Sequence, residues 1–242
     1  MEEVINKNKI DLRYLGLNIK GKISRNLSIE KLIQEGLLNK ETKMSMNGAV
    51  MVDTGIYTGR SPKDKYIVEE NSTKENIWWG DVNQKLDEEI FDELFDLVRD
   101  FYNSDLSKTY VFDGYGGDDK DYQLPIRVIA KKSWQAHFAN NMFVCPHEKE
   151  LENFNPEFTI INASDISNSE YIKHKMNSET FIVFNLKKKI AIIGGTEYAG
   201  EMKKGVFSIL HYLLPMKNIL SMHCSANVDL ENKNACLFFG LS

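Results

Sequence analysis

Cysteine is scarce in this chain. Its 242 residues include three, Cys145, Cys224 and Cys236. The number is odd and none sits in a CxxC pair, which excludes a disulfide framework or a Cys-rich zinc site and points to a reducing, cytoplasmic setting. Long hydrophobic runs are missing: no apolar stretch approaches the roughly 20 residues a membrane helix needs. The opening MEEVINKNKIDLRYLG has acids at once and no apolar core, so no signal peptide is expected there. Positive charge is not in excess either. The formal net charge is −5, which argues against nucleic acid as the main partner, because phosphate neutralisation needs clustered Lys and Arg. There is no internal repeat, no low-complexity segment, no G-x-S-x-G elbow and no HExxH.

What is present is the composition of a globular protein, 42% hydrophobic and 27% charged. The length suits one large domain or two small ones and a substantial core without disulfides. Ser28 is placed to cap a helix through Leu38, with Glu30 in its first turn. MNGAVMVD and DKYIVEE read as strands flanking a Gly-rich turn. Leu86, Ile90, Leu94, Val98 and Phe101 recur at helical spacing and predict a helix from Gln84 to Tyr102. Strands are expected at KTYVFDGYGG, PIRVIA and EFTIINA. A helix is expected from Lys132 to Phe143, buried through Trp134, Phe138 and Met142. TFIVFNL and KIAIIGG form a hairpin across a Lys-rich turn. GEMKKGVFSILHYLLP is a helix with its apolar stripe at Met202, Val206, Leu210 and Leu213, ended by Pro215. NILSMHCSAN and ACLFF are the last strands. The order is irregular, so the fold class expected is α/β in the mixed α+β sense, a mixed sheet with flanking helices.

Several stretches could carry chemistry. In TGIYTGRSPKDKY the glycines allow close backbone approach, and Arg60 could grip a carboxylate or phosphate with parallel hydrogen bonds, or be a surface arginine on a turn. In GGTEYAGEMKKG, Lys203 and Lys204 open a helix, where cations oppose the macrodipole. They are either solvated or facing an anion, and a close second ammonium makes a neutral amine at Lys204 easier to reach. In SMHCSANV, strand alternation puts Leu220, Met222, Cys224 and Ala226 on a core face and Ser221, His223 and Ser225 on a polar one. His223 could meet a metal or phosphate, or bond a neighbour. Ala235 to Phe239 is continuously apolar, as in a strand covered on both faces. It leads into Gly240, Leu241 and Ser242, which match the start of a phosphate-binding P-loop, although a strand ending in glycine is also common. Asp118, Asp119 and Asp121 do not have EF-hand spacing and read as a solvated turn. Asn162 to Ser164 fits a glycosylation acceptor, without meaning in a cytoplasmic protein.

Taken in order, TGIYTGRSPKDKY, LPIRVIAKKSWQAHFANNMF, GTEYAGEMKKGVFSILHYLLP, SMHCSANV and LFFGLS resemble ATP-dependent phosphoenolpyruvate carboxykinase over Met46 to Ser242. GEMKKG with SMHCSAN is similar to the ATP-using rather than the GTP-using branch. The resemblance implies a substrate-binding lobe over residues 1–218 and the opening strands of a nucleotide-binding lobe over 219–242. In the family FFGLS continues as G-T-G-K-T, so the chain is expected to stop inside its nucleotide loop and not to turn over alone. By resemblance, Arg60, Tyr198 and Lys204 contact oxaloacetate or phosphoenolpyruvate. Lys204 and His223 hold Mn²⁺, with Mg²⁺ as the other divalent ion, and lie near the terminal phosphate of ATP. Lys203 adds positive potential, and Gly240, Leu241 and Ser242 begin the nucleotide loop. The catalytic set implied is Arg60, Lys204 and His223. The reaction implied is oxaloacetate and ATP to phosphoenolpyruvate, CO₂ and ADP, the entry to gluconeogenesis. The alternative is a non-catalytic dicarboxylate-binding module.

Overall fold

A computed structural model describes residues 10–231 and 233–240. The elements follow in chain order. β1 (Ile23–Arg25) leads to α1 (Ile29–Leu38), then β2 (Thr42–Met44) and β3 (Val50–Val52). β4 (Lys65–Val68) and β5 (Gln84–Leu86) precede the long α2 (Glu88–Ser104). β6 (Thr109–Gly116), β7 (Leu124–Ala130), α3 (Ser133–Met142), α4 (Glu148–Glu152) and β8 (Phe158–Ala163) follow. Last come β9 (Phe181–Asn185), β10 (Ile190–Gly194), α5 (Gly200–Met216), β11 (Ser225–Val228) and β12 (Ala235–Phe238).

Eight of these strands form one mixed sheet in the order β1-β6-β7-β8-β10-β9-β4-β5. β6–β7 and β9–β10 pair antiparallel, and the other neighbours are parallel. The expected mixed α/β architecture is therefore present. Alternation along the central strands sorts side chains into two cores. Val111, Ile129, Ile161, Val183 and Ile192 face one side with Leu94, Val98 and Tyr102 of α2. Phe112, Val128, Ile160, Phe184 and Ile193 face the other side with Trp134 of α3 and Met202, Val206 and Ile209 of α5. Both faces are covered, which is why these strands read as nearly continuous apolar runs.

Local chemistry set several boundaries as expected. Ser28 caps α1, its hydroxyl accepting from the Lys31 N–H, and β9 and β10 make the hairpin. Elsewhere the structure differs. Gln84, Lys85 and Leu86 are an edge strand pairing with β4, and the helix starts only after Asp87. Leu86 is buried there as a strand residue, so its agreement with the helical period is fortuitous. α3 buries Trp134, Ala136 and Ala139, whereas Met142 stands 43% exposed at its open end. Leu210 and Leu213 are only half-buried, and Ile209 takes the buried place. Pro215 lies within the last turn of α5, one residue before its end. A proline there removes a single late N–H bond and does not break the turns before it.

The chain's last segment departs furthest from expectation. Ile219 to Cys224 is coil with a bend at Cys224, not strand. β11 and β12 pair with each other, outside the large sheet. Leu237, Phe238 and Phe239 are exposed, not covered on both faces. A lone two-strand ribbon has no layer of its own to bury them. Asn162 lies buried within β8, where no glycan could be attached.

Candidate functional site

The site stands at the edge of the sheet where β4 and β9 meet α5. The turn after β3 begins with an Asp53 carboxylate accepting from the Gly55 N–H at 2.9 Å, and Gly55 takes a positive φ of 63°. The Thr54 hydroxyl donates to the Tyr57 carbonyl at 2.7 Å. The chain leaves through a tight turn at Pro62–Asp64. Asp64 is buried and accepts from the Asn177 amide and the Ser178 hydroxyl, each at 2.8 Å. This segment carries Arg60 on a loop fastened at both ends.

Glu201 in the first turn of α5 holds that loop against the helix. Its side chain is 2% exposed. One oxygen accepts from the Ser61 backbone N–H at 2.7 Å and the other from Arg60 Nε at 3.4 Å. A carboxylate also suits the positive end of a helix. Sequence reasoning passed over Glu201, because nothing local connects it to a residue 140 positions earlier.

Three of the sequence-identified residues meet in one cavity of about 480 Å³, lined by Arg60, Lys204 and His223. Apolar and aromatic walls come from Ile67, Trp78, Phe184 and Phe207. Lys204 Nζ and His223 Nε2 lie 2.9 Å apart, within hydrogen-bond distance. Phe207 backs the pair: Lys204 Nζ sits 4.8 Å from its ring centre and the His223 ring 5.1 Å. The route to this contact was not the expected one. In the stretch Ile219 to Cys224 the polar side chains reach toward α5, Ser221 bonding His211 and His223, itself exposed, meeting Lys204. Leu220 and Met222, expected in the core, are exposed.

The Lys204 pKa is lowered, first by burial, then by the Arg60 charge and then by Lys203. The adjacent lysine is thus the weakest of the three influences. His211 is likewise pushed down, by burial and by the charges of His223 and Lys204. Lys65 also lines the cavity, 6% exposed, with its pKa lowered by burial and by Arg60 against an opposing pull from Glu201. A signal for it existed in KDKY, where a lysine opens an otherwise apolar strand.

The remaining sequence-identified residues lie elsewhere. Tyr198 sits in the loop between β10 and α5, its N–H donating to the Thr196 hydroxyl at 3.1 Å. Its ring lies over Gly200, where a Cβ would come within 2.3 Å of a ring carbon, so only glycine lets the ring fold onto the helix start. Tyr198 is not among the residues lining the cavity. Gly240 is exposed beyond β12, and Leu241 and Ser242 lie outside the described residues.

The pair Lys204–His223 can be tested as a metal site. Two nitrogens bound at right angles to one first-row ion, at roughly 2.0–2.1 Å each, stand about 3 Å apart. The observed 2.9 Å fits that spacing. Among the described residues, no group of three His, Cys, Asp or Glu side chains could hold a metal. The chain's share of a metal site would therefore be these two nitrogens, with Lys204 as a neutral amine.

An arginine, two lysines and two imidazoles around one cavity of a mixed α/β protein are the lining of an anion-binding class of site. Comparison with known proteins narrows this. The family model described as phosphoenolpyruvate carboxykinase, in its ATP form, matches residues 21–242. Phosphoenolpyruvate carboxykinase (ATP) of Leptospira biflexa is 53% identical over 238 residues, covering 98% of this chain and 44% of that protein. The proteins of the same name from Sulfurimonas denitrificans and Campylobacter lari are 47% and 46% identical, over 97% and 96% of this chain. The chain belongs to the ATP-type phosphoenolpyruvate carboxykinase family. It spans under half the length of these relatives, 44% in each case.

Proposed function

We propose that the chain supplies the oxaloacetate- and metal-binding part of an enzyme that converts oxaloacetate and ATP to phosphoenolpyruvate, CO₂ and ADP. Mn²⁺ or Mg²⁺ is the divalent ion, and the setting is gluconeogenesis in the cytoplasm. Residues 1–218 form the substrate-binding lobe and 219–242 open the nucleotide-binding lobe. The pairing of β11 with β12 outside the large sheet supports that division.

The observation that carries the reading is the convergence of Lys204, His223 and Arg60 on one cavity from three distant stretches of chain. Arg60 binds a substrate carboxylate, held in place by Glu201. Tyr198 orients the substrate from the loop before α5. Lys204 contacts substrate and shares the divalent ion with His223, and burial and the Arg60 charge make its neutral form easier to reach. A bound divalent ion supplies stabilisation of enolate charge without a proton. Loss of CO₂ from oxaloacetate leaves the enolate of pyruvate. Its oxygen attacks the terminal phosphorus of ATP and ADP leaves, a transfer that depends mainly on alignment and charge neutralisation. Gly240, Leu241 and Ser242 begin the loop that cradles the nucleotide phosphates.

A Mn²⁺ titration followed by electron paramagnetic resonance tests this. The unsubstituted chain should remove Mn²⁺ signal from solution, and Lys204→Ala and His223→Ala should each weaken binding by about tenfold or more. Equal Mn²⁺ binding by all three chains would refute the assignment.

A further inference from the structure

We propose that Lys65 is a substrate-contacting residue, its ammonium meeting a carboxylate of a small dicarboxylate beside the Arg60 guanidinium. This rests on reading the cavity as a dicarboxylate site. Lys65 opens β4, and alternation sends Tyr66 into the core under α2 while Lys65 and Ile67 turn toward α5 and the cavity. Only 6% of Lys65 is exposed, and among the described residues none hydrogen-bonds or ion-pairs with its ammonium. The ammonium nitrogen keeps access to the cavity and is not sealed in the core, so it is presented to whatever binds there, while the poor hydration of a side chain this buried disfavours its charge until a partner arrives. The nearby carboxylate, Glu201, is already engaged by Ser61 and Arg60.

The charge balance points to the ligand. Arg60 and Lys65 face this cavity side by side, with Glu201 held against Arg60. Two neighbouring cationic groups match the two carboxylates of a dianion. The lysine ammonium and the guanidinium also differ in kind: a point donor beside a planar fork can take two oxygens from different directions. Bound carboxylate would give Lys65 the partner it lacks.

An NMR titration of the isotope-labelled chain with oxalate, run without metal, tests this, with inorganic phosphate as the second arm. Lys65→Met should weaken oxalate binding by about 10- to 100-fold, the size expected for a lost charge-assisted hydrogen bond. Phosphate binding should change much less. Lys65→Arg should recover most of the oxalate affinity. Lys65→Met should also raise Tm, because it removes an unpartnered buried charge, whereas a merely structural lysine would lower it. Unchanged oxalate affinity in Lys65→Met, a loss confined to phosphate, or a lower Tm with affinity intact would each overturn the proposal. So would a failure of the unsubstituted chain to bind oxalate, whatever the Mn²⁺ titration shows about Lys204 and His223.

Discussion

Glu201→Gln isolates the contact that fastens the arginine loop to α5. The amide keeps the shape of the carboxylate but retains a single acceptor oxygen for two donors, the Ser61 N–H and Arg60 Nε. Its new NH₂ brings further donors to a place already rich in them. A hydrogen bond to a charged group is worth about 1.5–3 kcal/mol, and the 2.7 Å bond from Ser61 to a carboxylate that is 2% exposed falls in this class. The Arg60 contact adds little, since it spans 3.4 Å and 35% of that side chain is exposed. The lower cost of burying an amide offsets part of the loss. The amide oxygen can still accept from Ser61 as a neutral bond, so the net expectation is roughly 1 kcal/mol, which at 2–4 °C per kcal/mol for a chain of this size lowers Tm by about 2–4 °C. Thermal unfolding followed by circular dichroism at neutral pH measures it. Oxalate affinity should fall in parallel, because the guanidinium is no longer pinned. A Tm within about 1 °C of the unsubstituted chain would refute the reasoning, since it would mean that this buried carboxylate holds nothing.

Two further perturbations follow from buried charge. Lys65 has a lowered pKa, from burial first and Arg60 second, so the folded chain releases that proton before the unfolded chain does. The penalty is fully present below the folded pKa and is relieved as pH rises toward the ordinary lysine range, so the Tm advantage of Lys65→Met should narrow as alkaline pH is approached. A gap that widens with pH would contradict this. Asp113, fully buried, accepts from Arg127 Nε at 2.7 Å and from Arg25 Nε at 2.6 Å. Asp113→Asn leaves two buried guanidiniums without their counter-charge and should cost about 3–5 kcal/mol. Urea unfolding reads that loss directly, and a change under about 1 kcal/mol would show that the arginines are satisfied by their other partners.

Much of the scaffold was legible from local chemistry. The apolar runs of β6 to β10 declared buried strands, Ser28 declared its helix, and the stripe Met202–Val206 declared the inner face of α5. These signals are local: backbone bonding, side-chain alternation and helical period act within a few residues. The edge strand Gln84–Leu86 was missed because three residues carry too little pattern, and β4 supplies the bonds that make it a strand. Arg60, Lys204 and His223 could be nominated through motif resemblance, but no spacing along the chain brings them together.

What the sequence by itself determined was therefore most of the central elements and the family, because both are written in short-range pattern. The tertiary structure decided which charges lack a partner. Burial of Lys65, capture of Arg60 by a carboxylate far along the chain, and the contacts of Ser221 and His223 with α5 arise only when β4, α5 and the stretch after it are packed together. The energy of a charge depends on the water and partners around it, and those are properties of the assembled fold.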